Sequence, residues 1–185
     1  MSTSVAVIVG SLRKASYNRR LALALAEFAP SDLKLEIVEI GDLPLYNQDL
    51  DDEGAPPPAW TAFRDRIRGF DAVLFITPEH NRSVSSALKN ALDVGSRPYG
   101  KNVWGGKPGA VVSVTIGPLG AFGANHHLRQ SLVFLDVPTL QQPEAYIANA
   151  GSLFDADGKL LNEDTAKFLS DYLGKFSAWI ARIRD

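Results

Sequence analysis

The sequence contains no cysteine among its 185 residues. This absence excludes disulfides, thiolate catalysis and zinc–thiolate sites. Basic residues are not in excess, since the formal net charge is −2, and this argues against nucleic-acid binding. No apolar run approaches the roughly 20 residues of a membrane-spanning helix, and the first residues lack the pattern of a signal peptide. We therefore expect a soluble cytoplasmic protein that neither binds nucleic acid nor crosses a membrane.

The sequence also lacks the spacing of common catalytic and metal-binding motifs. His126 and His127 are neighbours on a predicted helix and should diverge, and His80 lies far from them in the chain. There is no G-x-S-x-G elbow of a serine hydrolase. We expect four acidic residues of a proline-rich loop to be solvated, namely Asp49, Asp51, Asp52 and Glu53. With no metal site and no catalytic side chain evident, we predict that a bound cofactor carries the reaction.

What the sequence does contain is a regular alternation of strand and helix patterns. Apolar or alternating runs predict strands at residues 5–9, 33–40, 72–76, 109–114 and, briefly, 138–140. Helical patterns cover residues 17–28, 60–70, 85–94, 124–135 and 165–183. This order predicts one α/β domain over residues 1–185. We expect a flavodoxin-like three-layer sandwich, with a five-stranded parallel sheet in the order 2-1-3-4-5 and helices on both faces.

The loop after the first strand is rich in hydrogen-bond donors. Loop 1 (residues 10–18) contains Ser11, Arg13, Ser16 and Asn18 and leads into a predicted helix. A helix N-terminus attracts anions through its free N–H groups and its dipole, and arginine adds a forked charged donor. Because loop 1 has only one glycine, it suits a terminal monophosphate rather than a pyrophosphate. Helix capping by Ser16 and a solvated Arg13 are an equal alternative.

Two further loops should meet loop 1 at the same edge of the sheet. Loop 2 (residues 77–85) offers backbone amides that suit a flat heteroaromatic ring, with His80 against its plane. Loop 3 (residues 117–123) has glycines that allow a ligand to approach its backbone. Taken alone, loop 2 could be a turn with an exposed histidine, and loop 3 a flexible connector. Their convergence with loop 1 favours one shared binding site.

With these loops, the sequence resembles the NADPH-dependent FMN reductase family, and within it the bacterial quinone, azo-dye, chromate and ferric reductases. The matching stretches are GSLRKASYN (residues 10–18), LPLYN (43–47), TPEHNRS (77–83), LKNALD (88–93) and LRQSL (128–132). The resemblance implies non-covalently bound FMN, with NADPH or NADH as co-substrate. Because the family usually forms dimers or tetramers, we expect a homodimer or homotetramer.

The resemblance also assigns roles to residues by position. Residues at the phosphate would be Ser11, Arg13, Ser16, Tyr17 and Asn18. Those along the isoalloxazine ring would be Pro78, Glu79, His80, Asn81 and Ser83, with Thr115 and Gly117 on its other side. This chain departs from the family at His80, where tyrosine is usual, at Ser85-Ser86, where Pro-Gly is usual, and at Gly120-Ala121, where Gly-Gly is common. These departures affect specificity more than FMN binding.

We therefore predict an FMN-dependent NAD(P)H oxidoreductase. Hydride would pass to the flavin, and an acceptor would then replace the nicotinamide in a ping-pong cycle. The acceptor would be a small molecule, such as a quinone, an azo dye, a ferric chelate, chromate or free flavin. His80 and Arg97 are candidate substrate contacts, although Arg97 could instead be solvated or lie at an interface. The alternatives are a flavodoxin-type electron carrier, which would usually be more acidic, and a flavin-free binding module.

Overall fold

A five-stranded parallel sheet lies at the centre of the computed structural model, which describes residues 2–184. The strands are β1 (Thr3–Val9), β2 (Leu33–Val38), β3 (Ala72–Thr77), β4 (Gly109–Val114) and β5 (Ala145–Ile147). Their order is β2-β1-β3-β4-β5, and each neighbouring pair is parallel. The predicted fold and strand order are confirmed, and loops 1, 2 and 3 all leave the same edge of the sheet.

Helices cover both faces of the sheet. They are α1 (Tyr17–Phe28), α2 (Gln48–Asp52), α3 (Pro58–Arg68), α4 (Ser86–Gly95), α5 (Phe122–Phe134) and α6 (Glu163–Arg184), and a 3₁₀ turn covers Ala150–Ser152. Alternate residues of each central strand enter two separate apolar clusters, one packed under α1 and α6 and the other under α3, α4 and α5. This two-sided burial explains why the central strands are apolar throughout. No helix within residues 2–184 has the length and apolarity to cross a membrane.

The strand predicted at residues 138–140 is wrong. Thr139 forms only an isolated bridge to Gly109, and the fifth strand pairs instead through Ala145–Ile147 with the other end of β4. Pro138 has no N–H to donate to a ladder. The N–H of Leu140 bonds to the carbonyl of Gly109 at 2.8 Å, so this segment touches only the start of β4. The short apolar pattern therefore marks a buried connection rather than a strand.

The expectation that the acidic loop is solvated is wrong for Asp51. Its carboxylate accepts hydrogen bonds from Arg64 at 2.8 and 2.7 Å, and the two side chains are only 2% and 5% exposed. Arg64 also donates to the carbonyl of Val94 at the end of α4. This buried ion pair ties α2 to α3 and α4, and so fixes the chain that follows β2.

Candidate functional site

Loops 1 and 2 are in direct contact beside the ends of β1 and β3. Gly10 donates its N–H to the carbonyl of Ile76 at 2.8 Å, and the Ser85 hydroxyl donates to the carbonyl of Gly10 at 2.6 Å. A Cβ at Gly10 would lie 2.9 Å from Cδ of Pro78, so the two loops meet only because this residue is glycine. Ser85 also accepts the Leu88 N–H and caps α4. In the sequence Ser85 stands out only as a departure from the family, although a serine before a helix is an ordinary capping signal.

The start of α1 combines helix capping with free ligand-binding groups. The buried Ser16 Oγ accepts the Arg19 N–H at 3.2 Å, and its hydroxyl proton can still be donated to a ligand. Asn18, also buried, directs Nδ2 at the Val114 carbonyl, 3.5 Å away at the end of β4. Its Oδ1 is buried and has no hydrogen-bond partner within residues 2–184. Because buried polar atoms are nearly always paired, this oxygen indicates a site that a ligand completes.

Ser11 and Arg13 lie at the outer side of loop 1. Both line a cleft of about 510 Å³ that extends to Glu39 and Gly41 beyond the end of β2. Ser11 is half-buried and Arg13 is exposed, so the guanidinium is free to turn towards an anion at the start of α1. Their contact with a phosphate stays a prediction.

Tyr17 is positioned by the segment that follows β5. Its ring stacks on Phe154 with centroids 6.2 Å apart, and the guanidinium of Arg20 lies 5.8 Å from its centroid. Arg20 in turn donates to the carbonyl of Asp155 at 3.3 Å. The first turn of α1 is therefore packed against residues that are distant in sequence.

Loop 2 folds into a tight turn with two residues in the left-handed region. Asn81 and Arg82 have φ angles of 50° and 66°, and His80 and Ser83 exchange two backbone hydrogen bonds of 2.9 Å. Such backbone conformations are costly for residues other than glycine and cluster at functional sites. Pro78 is buried at the base of the turn, whereas His80 and Asn81 are exposed at its tip.

The Glu79 side chain holds loop 2 against the start of α5. Its Oε2 accepts the Ala124 N–H at 3.2 Å, where the helix dipole favours a negative charge, and Oε1 lies 3.3 Å from Arg82. A Cβ at Gly123 would lie 2.9 Å from the Arg82 carbonyl oxygen, which shows how closely the segments pack. The Glu79 carboxylate is thus engaged within the protein, and only its backbone is left for the predicted contact with the ring.

Thr115 and Gly117 are fixed by the chain around β5. The Thr115 N–H donates to the Ile147 carbonyl and its carbonyl accepts the Ala150 N–H, both at 3.0 Å. Gly117 accepts the Asn149 N–H at 3.4 Å. The start of loop 3 therefore has a defined position beside β4, on the other side of the shared edge from loop 2.

A groove between α4 and α5 brings the two candidate substrate contacts together. It has a volume of about 890 Å³, and its lining includes His80, Arg97 and Phe134.

His126 and His127 diverge as predicted, because His126 Nε2 lies 2.9 Å from the hydroxyl of Tyr146, and His127 Nδ1 lies 3.0 Å from Oγ of Ser83. Burial, together with the hydrogen bond and charge of Glu144, raises the pKa of Tyr146 to about 12.

The sequence of residues 3–152 matches the model of the NADPH-dependent FMN reductase family. The chain belongs to this family. Over 177 residues it is 66% identical to a quinone reductase of Pseudomonas putida, covering 96% of this chain and 94% of the relative. It is 47% identical to a 2-hydroxy-1,4-benzoquinone reductase of Burkholderia sp, with 97% of each chain covered. The predicted family is therefore confirmed.

A solved structure supports the same conclusion. The flavoenzyme NAD(P)H:(acceptor) oxidoreductase FerB of Paracoccus denitrificans has a TM-score of 0.90 and is 43% identical, covering 97% of this chain and 98% of that one. The chain is therefore an oxidoreductase that uses FMN and NAD(P)H, as predicted. The residues at the sheet edge fit FMN, since the orphan Asn18 oxygen can accept from a ribityl hydroxyl and Ser16 can donate to a phosphate. The individual contacts stay predictions.

Proposed function

We propose that this enzyme reduces a quinone with electrons from NAD(P)H, using FMN held at the edge formed by loops 1, 2 and 3. FMN bound there would supply the hydride-accepting and electron-donating chemistry, and the nicotinamide and the quinone would occupy the groove in turn. The placement of the cofactor is supported by the buried Oδ1 of Asn18 at the start of α1, which has no hydrogen-bond partner in the part of the chain that the structure describes. We propose a quinone as the electron acceptor because the relatives described above are quinone reductases.

In this proposal loop 1 binds both the phosphate and the ribityl chain. Ser16 donates its hydroxyl to the phosphate, while Ser11 and Arg13 approach it from the outer side of the loop. Asn18, as it is oriented, offers an acceptor to a ribityl hydroxyl. Rotating its amide would supply a donor for the phosphate but would turn its oxygen towards the carbonyl of Val114. We therefore assign Asn18 to the ribityl chain, which refines the earlier expectation.

Loop 2 and the start of loop 3 would bind the ring, and the groove would admit the substrate. Backbone groups of Pro78 and Glu79 face the ring on one side, and Thr115 and Gly117 lie on the other. His80 and Arg97 line the same groove, so an imidazole and a permanently charged guanidinium are available to a quinone oxygen or a nicotinamide nucleotide phosphate.

We also propose that the protein assembles as a homodimer or homotetramer in the cytoplasm. Val133 and Phe134 of α5 are 79% and 83% exposed beside the groove, whose lining also includes Lys89 and Asp93, an exposed ion pair with a distance of 2.6 Å. A surface that is partly apolar and carries both charges can pair with a second copy of itself. Light scattering during gel filtration checks this, and a monomer at micromolar concentration would contradict it.

An anaerobic titration with NADPH, followed by visible spectroscopy, tests the proposed function. We expect bound flavin to bleach and then to regain its colour when a quinone is added. A protein that stays colourless after incubation with FMN would be a flavin-free module. Flavin that bleaches without sustained NADPH turnover in the presence of a quinone would indicate an electron carrier.

A double variant tests the placement of the cofactor. Arg13→Ala with Asn18→Ala should weaken FMN binding by roughly 100-fold, because a charged donor and a buried polar contact are lost together. Quenching of flavin fluorescence measures the affinity. Arg182→Ala, at an exposed arginine of α6, is the charge-matched control and should bind FMN normally. Equal affinities in both variants would show that the phosphate lies elsewhere.

A further inference from the structure

Loop 3 has a strained backbone that is held by one buried hydroxyl. Gly120 and Ala121 both have φ of 59°, and a Cβ at Gly120 would lie 2.7 Å from the backbone of Tyr146. The hydroxyl of Ser113, fully buried near the end of β4, donates to the Gly120 carbonyl at 2.6 Å. Glycine adopts the left-handed conformation freely, but alanine does not, so the shape of the loop at Ala121 depends on contacts such as this one.

Two side chains of α5 hold Ser113 in turn. Asn125 is fully buried, and its Nδ2 donates to Oγ of Ser113 at 3.2 Å. Its Oδ1 accepts from Nε of Arg129 at 2.9 Å, and Nη1 of Arg129 donates to the Leu140 carbonyl at 2.9 Å. Hydrogen bonds therefore run from Arg129 through Asn125 and Ser113 to Gly120, and we call these first three residues the loop 3 network.

The direction of each bond in the loop 3 network follows from Arg129. A guanidinium can only donate, so the amide oxygen of Asn125 must face it and the amide nitrogen must face Ser113. Ser113 then accepts from Asn125, and its single proton goes to the carbonyl of Gly120 at 2.6 Å, which is closer than the carbonyl of Ala145 at 3.3 Å. Among residues 2–184, Arg129 forms no ion pair within 4.0 Å, and its Nη2 is buried without a hydrogen-bond partner. Arg129 is half-buried, and the two hydrogen bonds of its guanidinium both go to neutral oxygens, those of Asn125 and Leu140.

We propose that Ser113, Asn125 and Arg129 are positioning residues for the flavin reaction. They act through the Gly120 carbonyl, which sets the path of loop 3 beside the FMN site, and they touch neither substrate nor cofactor. This inference rests on the proposed function, which places Thr115 and Gly117 along the ring. It also gives the LRQSL stretch at residues 128–132 a role, since Arg129 begins the network from α5.

Ser113→Ala tests the network with little change in volume. Hydrogen exchange of the full chain, measured without FMN, should accelerate roughly tenfold in peptides covering residues 117–123, since a buried carbonyl loses its donor. The affinity of the variant for FMN should fall roughly tenfold. In steady-state turnover of the FMN-loaded variant, the fall in kcat should be larger than any change in KM. Arg129→Lys keeps the positive charge but loses the planar guanidinium that donates to two acceptors at once. It should cause the same changes in exchange, FMN affinity and kcat, but smaller ones.

Tyr172→Phe is the matched control, because the Tyr172 hydroxyl donates to the Val111 carbonyl of the same strand at 3.0 Å. It should lower stability and leave exchange in loop 3, FMN affinity and kcat unchanged. Unchanged exchange in Ser113→Ala would overturn the proposal, and so would faster exchange with normal FMN affinity and kcat. Failure of the parent to bind FMN would instead contradict the proposed function, while the exchange data would still decide whether the network holds the loop.

Discussion

Replacing Asp51 by asparagine removes the negative half of a buried ion pair. The Asp51 carboxylate receives two hydrogen bonds from Arg64, at 2.8 and 2.7 Å, and the two side chains are 2% and 5% exposed. Asparagine keeps one acceptor oxygen but leaves the guanidinium without a compensating charge. Nε of Arg64 stays bound to the Val94 carbonyl, so the cation cannot move into solvent without breaking that bond as well.

The size of the loss in the free energy of unfolding follows from burial. Removing one partner of a buried ion pair costs about 3–5 kcal/mol. Because asparagine retains one acceptor oxygen, we expect Asp51→Asn to cost about 3 kcal/mol. The exposed pair of Arg66 and Glu36 has a similar distance of 2.6 Å, with side chains 50% and 44% exposed. Glu36→Gln should therefore cost less than about 1 kcal/mol.

The same pair predicts a dependence on pH. The hydrogen bonds and the charge of Arg64 hold the pKa of the Asp51 carboxyl below its usual value. The folded pKa therefore lies below the unfolded one, and the stability from Asp51 is fully present above the unfolded pKa. It is lost as pH falls through the folded pKa. The difference between parent and Asp51→Asn should stay constant from pH 7 to about pH 5 and shrink in stronger acid.

Urea unfolding of the purified full chain, followed by circular dichroism, measures these free energies at each pH. A loss at Asp51→Asn no larger than that at Glu36→Gln would refute the argument from burial. So would a difference that grows as the pH falls.

Three other variants have equally definite outcomes. Gly120→Ala should lower the free energy of unfolding by about 2–4 kcal/mol, because its Cβ would lie 2.7 Å from the Tyr146 backbone at a φ of 59°; an unchanged melting temperature would show that loop 3 adjusts. The pKa of Tyr146 is raised to about 12, so the stability that depends on its neutral hydroxyl is lost as the pH rises from about 10 through that value. Tyr146→Phe should make the free energy of unfolding less dependent on pH over that range, and a dependence equal to that of the parent would contradict this. His80→Tyr should retain FMN and change acceptor preference or the pH profile of steady-state turnover, and identical profiles would remove His80 from the substrate site.

Much of the fold could be predicted from local patterns. The apolar runs at residues 5–9, 72–76 and 109–114 lie in strands buried on both faces, and their alternation with helices implies right-handed crossovers. Those crossovers bring the ends of β1, β3 and β4 to one edge, so the meeting of loops 1, 2 and 3 was predictable as well. A short strand such as Ala145–Ile147 was not, because three residues carry too little periodicity.

The candidate site was only partly predictable. Ser16 at the start of α1 could be identified as a candidate, because a serine that precedes a helix is expected either to cap that helix or to bind a phosphate there. The sequence could not decide between these roles, and the structure shows that the hydroxyl can fill both. Ser85 could have been recognised as a helix cap, whereas its bond to Gly10, 75 residues away, could not.

The sequence by itself therefore determined strands β1 to β4, the five longer helices and the edge at which the loops meet, because periodicity and capping are properties of neighbouring residues. Tertiary structure alone decided which polar groups are buried and what pairs with them. Asp51 lies in a polar, proline-rich stretch of the sequence, and only the packing of α2 against α3 removes its side chain from water. Arg129, Asn125 and Ser113 lie on two elements, and only the packing of α5 on β4 joins them into a path of hydrogen bonds to Gly120. Burial sets the energy of such groups, and burial depends on residues that are distant in the chain.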